Sequence, residues 1–185
     1  EYLKDQKGPL AEKCAKYYWF YFSQTYDPAN PASEKWYNMG IGGTPYKMKD
    51  WGCAVASVAM VLKYYGKDVD PGKIANVPAC SGPYPTCPGG FPVSSGCECG
   101  CDDFDKFFTS GGCIYWGKVA LHYGMDVDSW VSPSLLDTEL KKHPVIAMTR
   151  SDRVLSHFIV IVDKDEKDYI VLDPYKGILR DGTPV

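Results

Sequence analysis

Three things are scarce in this sequence of 185 residues, and each scarcity excludes something. There is no apolar run approaching the length of a membrane span, so no helical segment of this chain is expected to cross a bilayer. There is no surplus of one charge: 20 basic residues stand against 23 acidic ones, a net charge of -3. The basic residues are scattered, which leaves no electrostatic footprint for nucleic acid or an anionic membrane surface. There are only three histidines, so any chemistry that needs an imidazole must use His122, His143 or His157.

What is present is an ordinary globular composition, 45% hydrophobic and 23% charged, long enough for one domain with a substantial core. Eight cysteines are many for a cytosolic chain of this size. Six of them, Cys80, Cys87, Cys97, Cys99, Cys101 and Cys113, fall in one Gly- and Pro-rich stretch. Clustering of this kind favours an exported protein, extracellular or of the cell envelope, whose cysteines staple an irregular insertion. A zinc site is the competing reading. C-E-C-G-C is too tight to place three thiolates on one ion, which ranks disulfides first. With Cys53 free, seven cysteines remain as disulfide candidates, the six above and Cys14, and their pairing cannot be read from spacing. No cofactor is indicated.

Along the chain, residues 9–24 read as a helix crowded with aromatics and residues 26–45 as a long loop. Cys53 to Tyr65 is apolar on nearly every side, as in a buried central helix, with Gly66 placed to end it. Residues 76–112 read as the irregular insertion. Further helices are expected at 114–123, ended by Gly124, and at 133–142, with Ser132 as N-cap and Pro133 at the first position. Three strand-like runs follow at 144–149, 157–163 and 168–173. DKDEKD joins the last two as an antiparallel hairpin. Their continuous β-branched character predicts a sheet covered on both faces. Helices first and an antiparallel sheet after them make the α+β pattern.

The chemistry gathers on Cys53. A thiol opening a helix faces the partial positive charge of the helix N-terminus, which favours the thiolate. It then needs a base. His122 belongs to the last turn of a helix and His143 to a loop. His157 opens a buried strand, so its ring is anchored at a sheet edge. If Val162 pairs with Tyr169, His157 lies opposite Pro174; a shift of one sets it opposite Asp173. In either register Asp173 is a close neighbour, able to fix the ring's tautomer and leave the other nitrogen for Cys53.

The segments DWGCAVASVAMVLKYYGKDVDPGKI, GGCIYWGKVALHYGMDV, LLDTELKKHPVIAMT and SHFIVIVDKDEKDYIVLDPYKG resemble, in this order, papain-like cysteine peptidases of the bacteriocin-processing, double-glycine type. More closely they resemble that family's peptidase-like relatives in bacterial exported proteins. The resemblance covers about residues 45–177. It implies a papain-like domain at 46–185 behind an N-terminal extension at 1–45. It also implies a cysteine nucleophile at Cys53, a base at His157 and an orienting carboxylate at Asp173. The expected substrate is a peptide or protein, with a peptidoglycan peptide as an alternative. The family usually carries a Gln a few residues before the nucleophile, to hold the oxyanion. Here residues 46–52 read YKMKDWG, so Lys47 and Lys49 become the oxyanion candidates. The missing Gln keeps a second expectation open, a catalytically inactive binding or adhesion domain on the same fold.

Overall fold

In the computed structural model, residues 15–28, 31–79, 105–109, 111–128, 132–151, 154–165 and 168–181 are described. They form an α+β structure in which helices precede a four-stranded antiparallel sheet. The helices are α1 (Met48–Trp51), α2 (Cys53–Tyr64), α3 (Pro71–Ala75), α4 (Trp116–His122) and α5 (Leu136–Glu139). The strands are β1 (Val145–Ser151), β2 (Val154–Asp165), β3 (Asp168–Asp173) and β4 (Gly177–Asp181), in the order β1-β2-β3-β4.

Helix α2 is the buried axis. Val55, Ala56, Ser57, Val58, Ala59, Met60 and Leu62 are all buried, so the helix packs on more than one side, as its apolar sequence requires. On one side Val55, Val58, Ala59 and Leu62 join Trp36, Ile41, Phe107, Phe108 and Val119. On the other, Ala56 and Met60 meet Val160, Ile170, Leu172 and Ile178 of the sheet. The opposite face of the sheet is covered by Leu136 against Ile159, Ile161 and Val171. Both faces are therefore packed, which explains why β2 and β3 carry continuous apolar runs rather than alternation. Past α2 the chain turns at Gly66, whose φ of 77° suits glycine.

The aromatic segment departs from the helix expected at 9–24. Residues up to 14 lie outside the described set; Ala15 is helical, and over 16–20 the chain makes successive turns with i→i−3 bonds, Tyr18 N–H to the Ala15 carbonyl and Phe20 N–H to that of Tyr17. Packing decides this. Tight turns put Tyr17, Phe20 and Tyr21 together against α2 and the sheet. The chain then runs on without helix to Gln24, whose N–H bonds the Pro174 carbonyl at 2.9 Å. The 26–45 loop holds two short 3-10 turns, Pro31–Lys35 and Ile41–Gly43. It also delivers Trp36 to the core, where the indole N–H donates to the Ser23 carbonyl at 2.9 Å.

Two smaller expectations change. The helix over 133–142 is a 3-10 turn, Pro133–Leu135, running into the short α5, and the Ser132 hydroxyl meets that of Ser134 rather than capping a backbone N–H. Strand β4 and helix α3 have no counterpart in the sequence reading; α3 carries a clear start signal, with Pro71 in its first turn and Asp70 accepting from the Lys73 N–H.

Gly52 joins α1 to α2 at a close approach. A Cβ built there would press on the Met48 carbonyl oxygen and stand 2.6 Å from Met48 Cε. The Met48 side chain can move, but the carbonyl cannot without shifting α1. Gly52→Ala should therefore destabilise the fold by roughly 1–3 kcal/mol, read as a lower midpoint in urea, and should displace the first turn of α2.

Candidate active site

Cys53 is the first residue of α2 and carries a free, half-buried thiol. The first N–H groups of a helix have no intrahelical acceptor, so the backbone N–H of Cys53 has no partner within α2. The thiol lies close enough to the His157 ring to raise that ring's affinity for a proton. His157 Nε2 in turn lies 2.8 Å from Asp173 Oδ1. A carboxylate can only accept, so Nε2 carries the hydrogen of that bond and Nδ1 is the nitrogen left for the thiol.

The register that joins His157 to Asp173 is neither of the two expected. Val160 pairs with Leu172 and Ile161 with Val171. Val162 is then skipped, and Asp163 pairs with Ile170. This one-residue bulge moves the hairpin out of the register extrapolated from Val162 and Tyr169. Carried back along β2, the register sets Asp173 opposite Ile159, so His157 and Asp173 are diagonal neighbours two residues apart. An offset of two keeps both side chains on one face, whereas an offset of one would have sent them to opposite faces. The nearness expected from sequence is present, but through a diagonal.

Asp173 is held from several sides. Its Oδ1 also accepts the N–H groups of Tyr175 at 2.8 Å and Lys176 at 3.1 Å. Its carbonyl accepts the Tyr21 hydroxyl at 3.1 Å, and the Pro174 carbonyl accepts the Ser23 hydroxyl at 3.1 Å. Burial opposes its charge, yet the His157 ring and the two N–H groups outweigh that and hold its carboxyl below the ordinary value. Burial likewise opposes a charge on His157. The interactions with Asp173 and Cys53 outweigh it and push the ring up to about 9.

These shifts set a pH window. A raised His157 contributes stability fully present below its ordinary value of 6.5 and lost as pH rises through about 9. A lowered Asp173 contributes stability present above its ordinary 3.8 and lost as pH falls through its folded value. The pair therefore stabilises the fold most between those ordinary values. In Asp173→Asn the carboxylate that raised His157 is gone and the burial that lowers it remains. The His157 titration followed by NMR should move down by roughly 1–3 units, and the variant's loss in melting temperature should be largest near pH 5 and shrink above pH 9.

Gln24, far upstream in the sequence, reaches the stretch just before Cys53. Gln24 is 3% exposed, and its side-chain amide donates to the Lys49 carbonyl at 3.1 Å. Lys49 lies one helical turn before Cys53, so the amide of Gln24 stands at the junction from which α2 starts. Only one of its two N–H hydrogens is engaged by that carbonyl, and its Oε1 is buried without a partner among the described residues. A signal was legible. The chain has only Gln6 and Gln24, and a buried amide embedded in the aromatic segment is unusual unless it is bonded. Lys47 and Lys49, the oxyanion candidates from sequence, are both exposed, and Lys49 contributes its carbonyl to the junction.

The other candidates fall elsewhere. Cys113 is exposed, beyond Phe107 and Phe108, and Cys14, Cys80, Cys87, Cys97, Cys99 and Cys101 lie outside the described residues. Among the described residues there is no cluster of metal ligands, and no helix is long and apolar enough to cross a membrane. His122 meets the rings of Phe107 and Tyr123 edge to face, and His143 meets Glu139 at 3.1 Å, so the structure gives both histidines other partners. Comparison with family models, with curated proteins and with solved structures finds no match to the chain.

Proposed function

We propose that this protein is a cysteine hydrolase of peptide bonds, built on a papain-like plan. The observation that carries the reading is a line of three groups, the Cys53 thiol beside the His157 ring and His157 Nε2 bonded to Asp173 Oδ1 at 2.8 Å. A nucleophile, a base and an orienting carboxylate so linked are the parts that acyl transfer needs. His157 takes the thiol proton, and the sulfur attacks the substrate carbonyl carbon. The tetrahedral oxyanion forms between the Cys53 backbone N–H and the unspent N–H of Gln24. Collapse breaks the C–N bond, and His157 delivers its proton to the leaving amine. Water, deprotonated by His157, then attacks the thioester and releases the acid.

Gln24 favours this enzyme over an inactive binding domain on the same fold, because the expectation of inactivity rested on a missing Gln. The concentration of cysteines at 80–113 supports an exported location, in the cell envelope or outside it. The test is to incubate the protein with a mixed fluorogenic peptide library, quench in acid and weigh the intact chain. A peptide acyl group on Cys53, absent from Cys53→Ala, is expected together with cleaved peptides. Hydrolysis that survives in Cys53→Ala, or no acylation of a thiol that small alkylating agents reach, would remove the peptidase reading.

A further inference from the structure

The resemblance sets residues 1–45 aside as an extension, yet residues 21–24 lie against both halves of the site. Tyr21 and Ser23 are buried. The Tyr21 hydroxyl donates to the Asp173 carbonyl and the Ser23 hydroxyl to the Pro174 carbonyl, each at 3.1 Å. The Gln24 N–H donates to the same Pro174 carbonyl at 2.9 Å, and its side chain reaches the Lys49 carbonyl. The Ser23 hydroxyl oxygen accepts the Thr25 N–H at 3.1 Å, which leaves its hydrogen for Pro174. The Ser23 carbonyl is fixed in turn by the buried Trp36 indole.

These bonds act on the site through the backbone. Asp173 ends β3 and pairs with Gly177, so residues 174–176 turn outside the ladder. The two carbonyls held by Tyr21 and Ser23 are those that carry the chain from β3 into that turn. Asp173 Oδ1 accepts from His157 Nε2 and from the Tyr175 and Lys176 N–H groups, so its place depends on where the turn sits. Packing alone does not ask for these hydroxyls. The Tyr21 ring joins Ala56, Met60 and Val160, contacts that a phenyl ring would also make. Removing the hydroxyl leaves a buried carbonyl short of a donor, and the turn must shift to find another.

We propose that Tyr21 and Ser23 are positioning residues of the active site, whose hydroxyls hold the Asp173 and Pro174 carbonyls and so set the carboxylate against the His157 ring. The effect on catalysis rests on the peptidase reading; the effect on the ring does not.

The test compares Tyr21→Phe, Ser23→Ala and the double variant with Phe20→Leu, which thins the same aromatic cluster and removes no hydroxyl. The His157 ring is titrated by NMR, with the melting temperature alongside. In the hydroxyl variants the titration should move down, by roughly 0.5–1 unit in the double variant, a part of the 1–3 units that a lost carboxylate partner costs. Acylation of Cys53 by peptide should slow by about tenfold in the double variant, with KM near that of the wild type. Phe20→Leu should melt lower and leave the titration in place. A titration that stays put in folded Tyr21→Phe and Ser23→Ala, or that moves as far in Phe20→Leu, would overturn the proposal. Should the double variant fail to fold, Tyr21→Phe keeps the ring and decides alone. A moved titration in a protein whose wild type no peptide acylates sinks the peptidase and leaves the positioning role standing. Acylation at the wild-type rate with an unmoved titration sinks the positioning role alone.

Discussion

Iodoacetamide should label Cys53 quickly in the native protein even near pH 5.5, and His157→Ala should lose that labelling by a factor on the order of 10². The expectation follows from a thiol at a helix start beside a ring pushed up to about 9. An unassisted thiol ionises near pH 8.5. At pH 5.5 such a thiol is about one part in a thousand thiolate, whereas a base beside it can take the proton as the alkylating agent reacts. The gain is smaller than the full thousandfold because a better stabilised thiolate is a weaker nucleophile. The measurement is the alkylation rate from pH 4 to 9, mapped by mass spectrometry. A Cys53 that stays unlabelled until the chain unfolds would show a thiol sealed in the core, and the site would then be a buried polar cluster.

The second large effect falls on Gln24. Gln24→Ala should lower peptide hydrolysis by roughly 10²–10³, the cost of removing one donor from an oxyanion site. The same variant should alkylate at Cys53 within a few-fold of the wild-type rate. Displacement of iodide by sulfur develops no charge on a carbonyl oxygen, so it has no use for that donor. The contrast separates two roles. If hydrolysis falls and alkylation does not, Gln24 acts on the developing oxyanion. If both fall together, its bond to the Lys49 carbonyl holds the start of α2 in place, and Gln24 is a positioning residue.

How much of this was legible in the sequence differs by kind of feature. Elements whose residues all carry the same signal were plain: α2 from its apolar faces and Gly66, β3 from an unbroken β-branched run, α4 from its stop at Gly124. The pairing of Cys53 with His157 came from the family resemblance; the residues themselves offered only a thiol at a helix start and an imidazole expected to open a strand, and His157 is in fact the fourth residue of β2. The Asp173 contact was expected for a reason only partly right, because a bulge at Val162 cannot be foreseen from spacing. Gln24 is far from Cys53 along the chain, and its bond to the Lys49 carbonyl is not legible from spacing. Its place depends on turns at 16–20 that override an apparently helical pattern, and those turns are set by where Tyr17, Phe20 and Tyr21 pack. Strand β4 is short and follows a turn, which leaves little periodicity to read.

The order in which the chain supplies its parts has a further consequence. The nucleophile lies in the first third, while His157 and Asp173 both lie in the last thirty residues of the sequence. The Pro174 carbonyl then accepts from Ser23 and Gln24, tying the last part of the site back to its first. During synthesis, which proceeds from the N-terminus, α2 emerges long before its base. A half-made chain thus holds an unarmed thiol, and reactivity arrives only when the closing hairpin docks.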